Sequence, residues 1–117
     1  MDAKNLKHFR ARLEQLLATL RAGAEAADEA AKPVELDQAT VGRLSRMDAM
    51  QGQAMAIETL RRRYDLERRA ELALARIAAG EFGICEECGE EINVRRLEAD
   101  PVSTLCITCA GAREAAR

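Results

Sequence analysis

Apolar residues in the first part of the chain recur at alternating spacings of three and four positions. They are Leu6, Phe9, Leu13, Leu16, Leu20, Gly23 and Ala27. Residues at these spacings share one face of an α-helix, and their alternation is typical of a coiled-coil seam. Since no proline occurs here and only Gly23 interrupts good helix formers, the pattern predicts a helix over about 2–31.

A second helical pattern follows after a short break. Pro33 ends the first helix, Asp37 is a plausible N-cap, and Gly80 is a plausible end for a helix over about 37–79. The predicted apolar stripe of this helix is Val41, Leu44, Met47, Met50, Ala54, Ile57, Leu60, Tyr64, Leu74 and Ile77. Its spacing is irregular near Met47. We expect the methionines Met47, Met50 and Met55 to pack inside rather than to form a binding face.

The short connection between the two helices favours antiparallel packing, in which each stripe covers the other. The predicted fold is therefore mainly α, with a long antiparallel two-helix coiled-coil hairpin over 1–80 whose tip is 32–37. Residues 81–117 are predicted to form a small four-cysteine zinc finger with a short C-terminal helix. Within it, Asn93 is the expected N-cap of a short helix that Pro101 ends.

Composition excludes several classes of protein. With no Trp, one Tyr and two Phe, the chain has too few aromatic residues for a broad globular core. The 18 basic and 20 acidic residues nearly cancel, so no strong field attracts nucleic acid or a membrane. The region around Met1 lacks an apolar signal segment, and no apolar run reaches the ~20 residues of a membrane span. We expect a cytoplasmic monomer without membrane contact.

All four cysteines lie in two C-x-x-C pairs, Cys85 with Cys88 and Cys106 with Cys109. Two such turns supply the four thiolates that tetrahedral Zn²⁺ prefers. Two structural disulfides are the alternative, although no secretory segment supports them. Four protein ligands leave no open coordination position, so the expected cofactor is one structural zinc ion.

Other polar residues give no sign of catalysis. His8 is the only histidine and is expected to be a solvated surface residue. No Ser/His/Asp or Cys/His arrangement, glycine-rich phosphate loop or paired-acid signature is present, so we predict no catalytic residue and no enzyme activity. Arg61–Arg63 and Arg68–Arg69 form the densest basic patch. It is either a solvated face of ion pairs or a contact for phosphate or an acidic protein, with Arg62 and Arg69 on one helix face.

The C-terminal third resembles the DksA/TraR family of bacterial transcription factors. The matching residues are Phe82-Gly83-Ile84-Cys85-Glu86-Glu87-Cys88-Gly89, Arg95-Arg96-Leu97-Glu98-Ala99, Pro101 and Leu105-Cys106-Ile107-Thr108-Cys109. The resemblance implies a regulator of initiation that binds RNA polymerase without contacting DNA. In this family the coiled coil enters the secondary channel, the pore through which nucleotides reach the active site, while the zinc module rests outside.

The resemblance also implies roles for residues outside the finger. The family's tip motif is Asp-x-x-Asp-x-Ala, and Asp37 and Ala39 match its second half, whereas Val34 replaces the first acid. A helix cap remains the alternative for Asp37. Arg62 and Arg69 fall where relatives place basic residues that face polymerase and the nucleotide ppGpp, and we take them as candidate docking residues.

Two further basic positions of the family's ppGpp site are not matched, because this chain has Asp100 and Ala110 there. An acid near a pyrophosphate repels it, so we expect weak or absent enhancement by ppGpp.

Two other functions remain open. A zinc-ribbon module that binds nucleic acid would need a basic finger, but this one carries Glu86, Glu87, Glu90, Glu91, Glu98 and Asp100. A helical adaptor for some other protein would not co-purify with polymerase.

Overall fold

The computed structural model describes residues 1–31 and 43–116, and these are mainly helical as predicted. The helices are α1 (Ala3–Ala22), α2 (Ala24–Ala31), α3 (Arg43–Ala79), α4 (Val94–Ala99) and α5 (Ile107–Ala115). Within the described ranges the only β pairing is an isolated antiparallel bridge between Ile84 and Glu91. The predicted tip over 32–37, with Asp37, and the neighbouring Ala39 lie outside the described residues.

Contacts group the chain into two compact units. One consists of Met1–Leu17 with Glu67–Arg117, and the other is Ala18–Leu66. In the first unit the beginning of α1 packs with the end of α3, and in the second unit the end of α1 and α2 pack with the earlier part of α3. Pairing the start of one helix with the end of the other is antiparallel, as expected for the hairpin. The division at residue 80 into hairpin and finger stays a prediction.

The expected seam of the first helix is largely confirmed. Phe9, Leu13 and Leu20 are buried, and so is Leu17, which the 3/4 pattern had not included. Where one continuous helix was expected, Gly23 forms a turn between α1 and α2.

The predicted seam of α3 is wrong over its first half. Met47, Met50 and Ile57 are half or more exposed, and Met55 is 67% exposed, so these side chains do not pack inside. The half-buried positions of this half are Arg46, Ala49, Gln53, Ala56, Glu58, Leu60 and Arg63, of which only Leu60 had been predicted. All but Glu58 follow the 3/4 spacing, one register away from the methionines. The facing helix is rich in alanine, and we attribute the shift to close helix approach, which leaves room for Ala49 and Ala56 rather than for methionine.

Of the buried apolar side chains that the structure describes, most belong to the first unit. Phe9 and Leu13 of α1 are fully buried, and Phe9 meets Phe82 of the finger with ring centroids 5.6 Å apart. The other buried members from α3 and the finger are Ala70, Ala73, Ile77, Cys85, Ile92, Leu97 and Val102. The finger therefore shares a core with the ends of the two long helices that belong to its own unit.

Helix α4 begins as the sequence predicts. The Asn93 side chain accepts a hydrogen bond from the Arg95 N–H at 2.8 Å, which confirms Asn93 as the N-cap. Fully buried Leu97 anchors the helix in the core. Across the described ranges, no helix combines the length and apolar character that crossing a bilayer requires.

Candidate metal centre

The four cysteines come together as the sequence predicts. The sulfurs of Cys85, Cys88, Cys106 and Cys109 all lie within 4.8 Å of one another. The Cys88 and Cys106 sulfurs are 3.8 Å apart. Tetrahedral Zn²⁺ with Zn–S bonds of about 2.3 Å places its sulfurs about 3.8 Å apart. The donor set and its spacing therefore fit one zinc ion held by four thiolates.

The first cysteine pair lies in a tight loop closed by backbone hydrogen bonds. The Cys85 N–H donates to Glu90 O at 2.8 Å, and the Gly89 N–H donates to Cys85 O at 3.0 Å. Gly83 and Gly89 have φ of 83° and 72°, in the left-handed region that favours glycine. A side chain on Gly83 would also meet the Met1 side chain. The two glycines that flank the pair are thus explained by backbone conformation.

The second cysteine pair lies at the start of α5. Cys106 is the N-cap residue of this helix, and its sulfur accepts a hydrogen bond from the Cys109 N–H at 3.4 Å. The two pairs are also joined directly, because the Glu86 N–H donates to Thr104 O at 2.9 Å. The loop of the first pair and the chain entering the second are thereby held side by side.

The thiols differ in their readiness to lose a proton. The pKa of Cys85 is lowered to about 6, chiefly by a hydrogen bond from the backbone of Cys88 and then by one from Cys106. The pKa of Cys109 is raised to about 12, first by its hydrogen bond with the Cys106 side chain, then by that with Cys85 and by burial. Four neighbouring thiols cannot all ionise unaided near neutral pH, so a bound cation is needed to hold all four as thiolates.

Three arginines that sequence reasoning did not single out contact the cysteine loops. Arg76 of α3 contacts the first loop, Arg96 of α4 contacts the second, and Arg113 of α5 pairs with Glu87 between the first two cysteines. Arg96 stands within the RRLEA motif, which was a usable signal. Nothing in the local sequence marks Arg76, because its partners are defined by the turn that follows α3.

The candidate docking arginines are found in different units. Arg62 is 75% exposed, and its Nε lies 3.1 Å from Glu58 Oε1. Arg61 also pairs with Glu58 at 2.7 Å, and together, Arg61 first, they lower the pKa of Glu58 to about 2. Arg69 is exposed and lines, with Leu72, a groove beside the first cysteine pair. The ion pairs expected for a solvated basic face are therefore present at Arg61 and Arg62.

His8 is exposed, as predicted, but it is not isolated. Its Nε2 lies 2.9 Å from Glu98 Oε1 of α4. Arg12 contacts the same residue, with Nη1 2.7 Å from the Glu98 backbone oxygen and 3.2 Å from its carboxylate. His8 and Arg12 thereby join the first helix to α4, and both residues are far from the cysteines in the sequence.

Comparisons with known proteins agree with this geometry. Residues 80–115 match the profile of the family described as prokaryotic dksA/traR C4-type zinc finger. The chain is similar to the RNA polymerase-binding transcription factor DksA of Haemophilus influenzae, with 48% identity over 44 residues. That match covers 38% of this chain and 30% of the relative. For DksA of Escherichia coli K12 the identity is 48% over 44 residues, which cover 38% of this chain and 29% of the relative.

Similarity in structure extends further along the chain. The transcription factor DksA2 from Pseudomonas aeruginosa superposes with a TM-score of 0.78 and 27% identity. The superposition covers 97% of this chain and 86% of DksA2. The sequence matches, by contrast, span less than a third of the length of the DksA relatives. From the cysteine cluster, the matched finger and the shared fold, we conclude that residues 80–115 form a C4-type structural zinc finger of the dksA/traR type and that the chain shares the fold of DksA2.

Proposed function

We propose that this protein is a transcription regulator that binds RNA polymerase through its secondary channel and modulates initiation without contacting DNA. The observation that carries the proposal is the combination of a matched C4-type zinc finger, 48% identity over 44 residues to RNA polymerase-binding factors, and a fold that matches DksA2 over 97% of the chain. Such a function would place the protein in the cytoplasm, acting as a monomer on polymerase.

The helices suit an element that enters a channel. Helix α3 has 37 residues and therefore a length of about 55 Å. Among the described residues of the second unit it packs with the end of α1 and with α2, and two packed helices are narrower than a globular domain. In the proposed complex Asp37 and Ala39 act at the tip near the catalytic centre of polymerase. Val34 in place of the first tip acid would weaken this action.

The proposed docking contact uses exposed cations. Arg69 and Leu72 line the same groove, and both are exposed, Leu72 by 51%. A partner can therefore contact a cation and an apolar side chain at the same place. Arg62 is available as well, although Glu58 competes for its guanidinium. A partner surface with acidic residues beside an apolar patch would fit Arg69 and Leu72.

The acidic surface of the finger disfavours nucleic acid as the partner. Six of its acidic residues, Glu86, Glu87, Glu90, Glu91, Glu98 and Asp100, are exposed. Phosphate binding relies on lysine and arginine and on release of counterions, which an acidic surface opposes. An adaptor for another protein is the remaining alternative, and binding experiments separate it from a polymerase factor.

The proposal is tested by binding of the zinc-loaded protein to core RNA polymerase. We expect Arg69→Ala to weaken binding about threefold to tenfold, because a rim charge contributes on the order of 1 kcal/mol. Arg10→Ala is the matched control, since Arg10 is also an exposed arginine, on α1. Absence of binding by the unmodified protein would refute the polymerase proposal and favour the adaptor.

A further inference from the structure

Arg76 holds the first cysteine pair from outside the ligand set. Its side chain is only 17% exposed, which is unusual for a charged residue in a chain of this size. Nη1 lies 2.9 Å from Glu86 Oε1, and Nη2 donates to the backbone oxygens of Glu81, at 3.2 Å, and Ile84. Ile84 and Glu86 are the two neighbours of Cys85. The guanidinium thus fixes the chain on both sides of one ligand.

Arg96 makes the corresponding contact to the second pair. Its Nε donates to Leu105 O at 2.9 Å in a partly buried contact, and Leu105 immediately precedes Cys106. A planar guanidinium that is always charged is well suited to hold backbone oxygens at fixed directions. Each cysteine pair is therefore held by one arginine of a neighbouring helix.

The two contacts are part of one connected set of hydrogen bonds. Arg76 joins α3 to the first loop, the Glu86 N–H joins that loop to Thr104, and Arg96 joins Leu105 to α4. Both helices are in turn anchored in the core of the same unit, α3 by Ile77 and α4 by Leu97. No sulfur takes part in this set, so it does not depend on the metal.

We infer that Arg76 and Arg96 are positioning residues that preorganise the four-cysteine site for zinc and hold its two loops in register when the metal is absent. A site whose ligands are already placed loses less conformational freedom on binding, so it binds the ion more tightly. Four thiolates around Zn²⁺ also keep a net negative charge, which nearby guanidinium groups offset. The inference concerns zinc binding and does not depend on the proposed binding of polymerase.

The test compares Arg76→Gln and Arg96→Gln with Arg12→Gln in the full-length protein. Arg12 is a matched control, because it also contacts a backbone oxygen and a carboxylate, both of Glu98, but neither cysteine loop. Zinc affinity is measured by competition with a chromophoric chelator at fixed pH. We expect about tenfold to a hundredfold weaker binding for the Arg76 and Arg96 variants, the range found for outer partners of metal sites. Arg12→Gln should stay within about twofold of the unmodified protein.

Two further measurements separate positioning from general stabilisation. Arg76→Lys, which keeps the charge but not the planar fork, should recover part of the affinity. In the unmodified protein stripped of metal, the amides of Cys85 and Glu86 should remain protected from hydrogen exchange, since their bonds to Glu90 and Thr104 persist. Unchanged zinc affinity in both glutamine variants, or fast exchange of these two amides without metal, would overturn the inference.

Discussion

Arg63 of α3 donates a hydrogen bond from Nη2 to the backbone oxygen of Leu20, with an N···O distance of 2.6 Å. Leu20 lies in the last turn of α1, which ends at Ala22 before the turn at Gly23. Oxygens at the end of a helix lack an intrahelical partner and carry partial negative charge. The guanidinium supplies that partner from the facing helix, so the break in the first helix is stabilised across the seam.

The effect of Gly23→Ala on the free energy of unfolding is expected to change sign when Arg63 is replaced by alanine. Gly23 does not have positive φ, so alanine fits the backbone and gains up to about 1 kcal/mol in helix propensity. Its Cβ, however, would overlap the Arg63 guanidinium and displace it from Leu20, at a cost of about 1.5–3 kcal/mol for a charged hydrogen bond. We expect Gly23→Ala to lower the free energy of unfolding by about 1 kcal/mol in the unmodified protein and to raise it in Arg63→Ala.

This double-mutant cycle is measured by urea unfolding. Gly52→Ala is the matched control, because an added Cβ there meets nothing within 4 Å, and it should stabilise both backgrounds equally. If Gly23→Ala changed the free energy of unfolding in the same direction in both backgrounds, the Arg63 guanidinium would not restrict residue 23.

Removal of zinc should destabilise the protein without erasing its fold. Zinc binds the folded finger, so its binding free energy adds to the free energy of unfolding. The apolar core around Phe9, Phe82 and Leu97 includes one ligand, the buried Cys85, but its other buried side chains are not ligands, so this core should survive. We predict that chelation lowers the melting temperature by at least about 10 °C while the helical circular dichroism at 25 °C is largely retained.

Cys106→Ser provides the control for this experiment. Having lost one ligand, the variant should melt near the chelated protein and respond little to further chelator. A melting temperature that is the same with and without chelator in the unmodified protein would mean that the four cysteines do not hold a structural zinc.

We predict that ppGpp adds little to the activity of this protein on polymerase. Asp100 is exposed at the C-cap of α4, where relatives are expected to carry a basic residue, and its carboxylate would repel the pyrophosphate. Promoter-complex lifetimes should therefore be equal with and without ppGpp. The double variant Asp100→Arg with Ala110→Lys should gain a response, whereas Asp100→Asn alone should not. A large response of the unmodified protein would contradict the prediction.

The parts of the molecule that local chemistry determines could be predicted from the sequence. The zinc ligands, the Asn93 cap and the seam through Phe9, Leu13 and Leu20 each depend on residue types at short spacings. The seam of α3 could not be predicted in this way. Met50 and Ala49 both lie on regular stripes, and packing against the facing helix decides which of the two is buried. The role of Arg76 was also hidden, since its acceptors are backbone oxygens that converge only in the folded loop.

The central claim is tested most directly by the lifetime of promoter complexes formed with RNA polymerase, measured with the zinc-loaded protein and with Asp37→Asn. We predict that the unmodified protein binds core polymerase and shortens the lifetime. Asp37→Asn should bind equally well and leave the lifetime unchanged, because the substitution would remove the charge proposed to act at the tip and leave the proposed docking residues in place. If the unmodified protein neither binds polymerase nor alters the lifetime, the secondary-channel function is wrong, and the helical hairpin and zinc finger serve another partner.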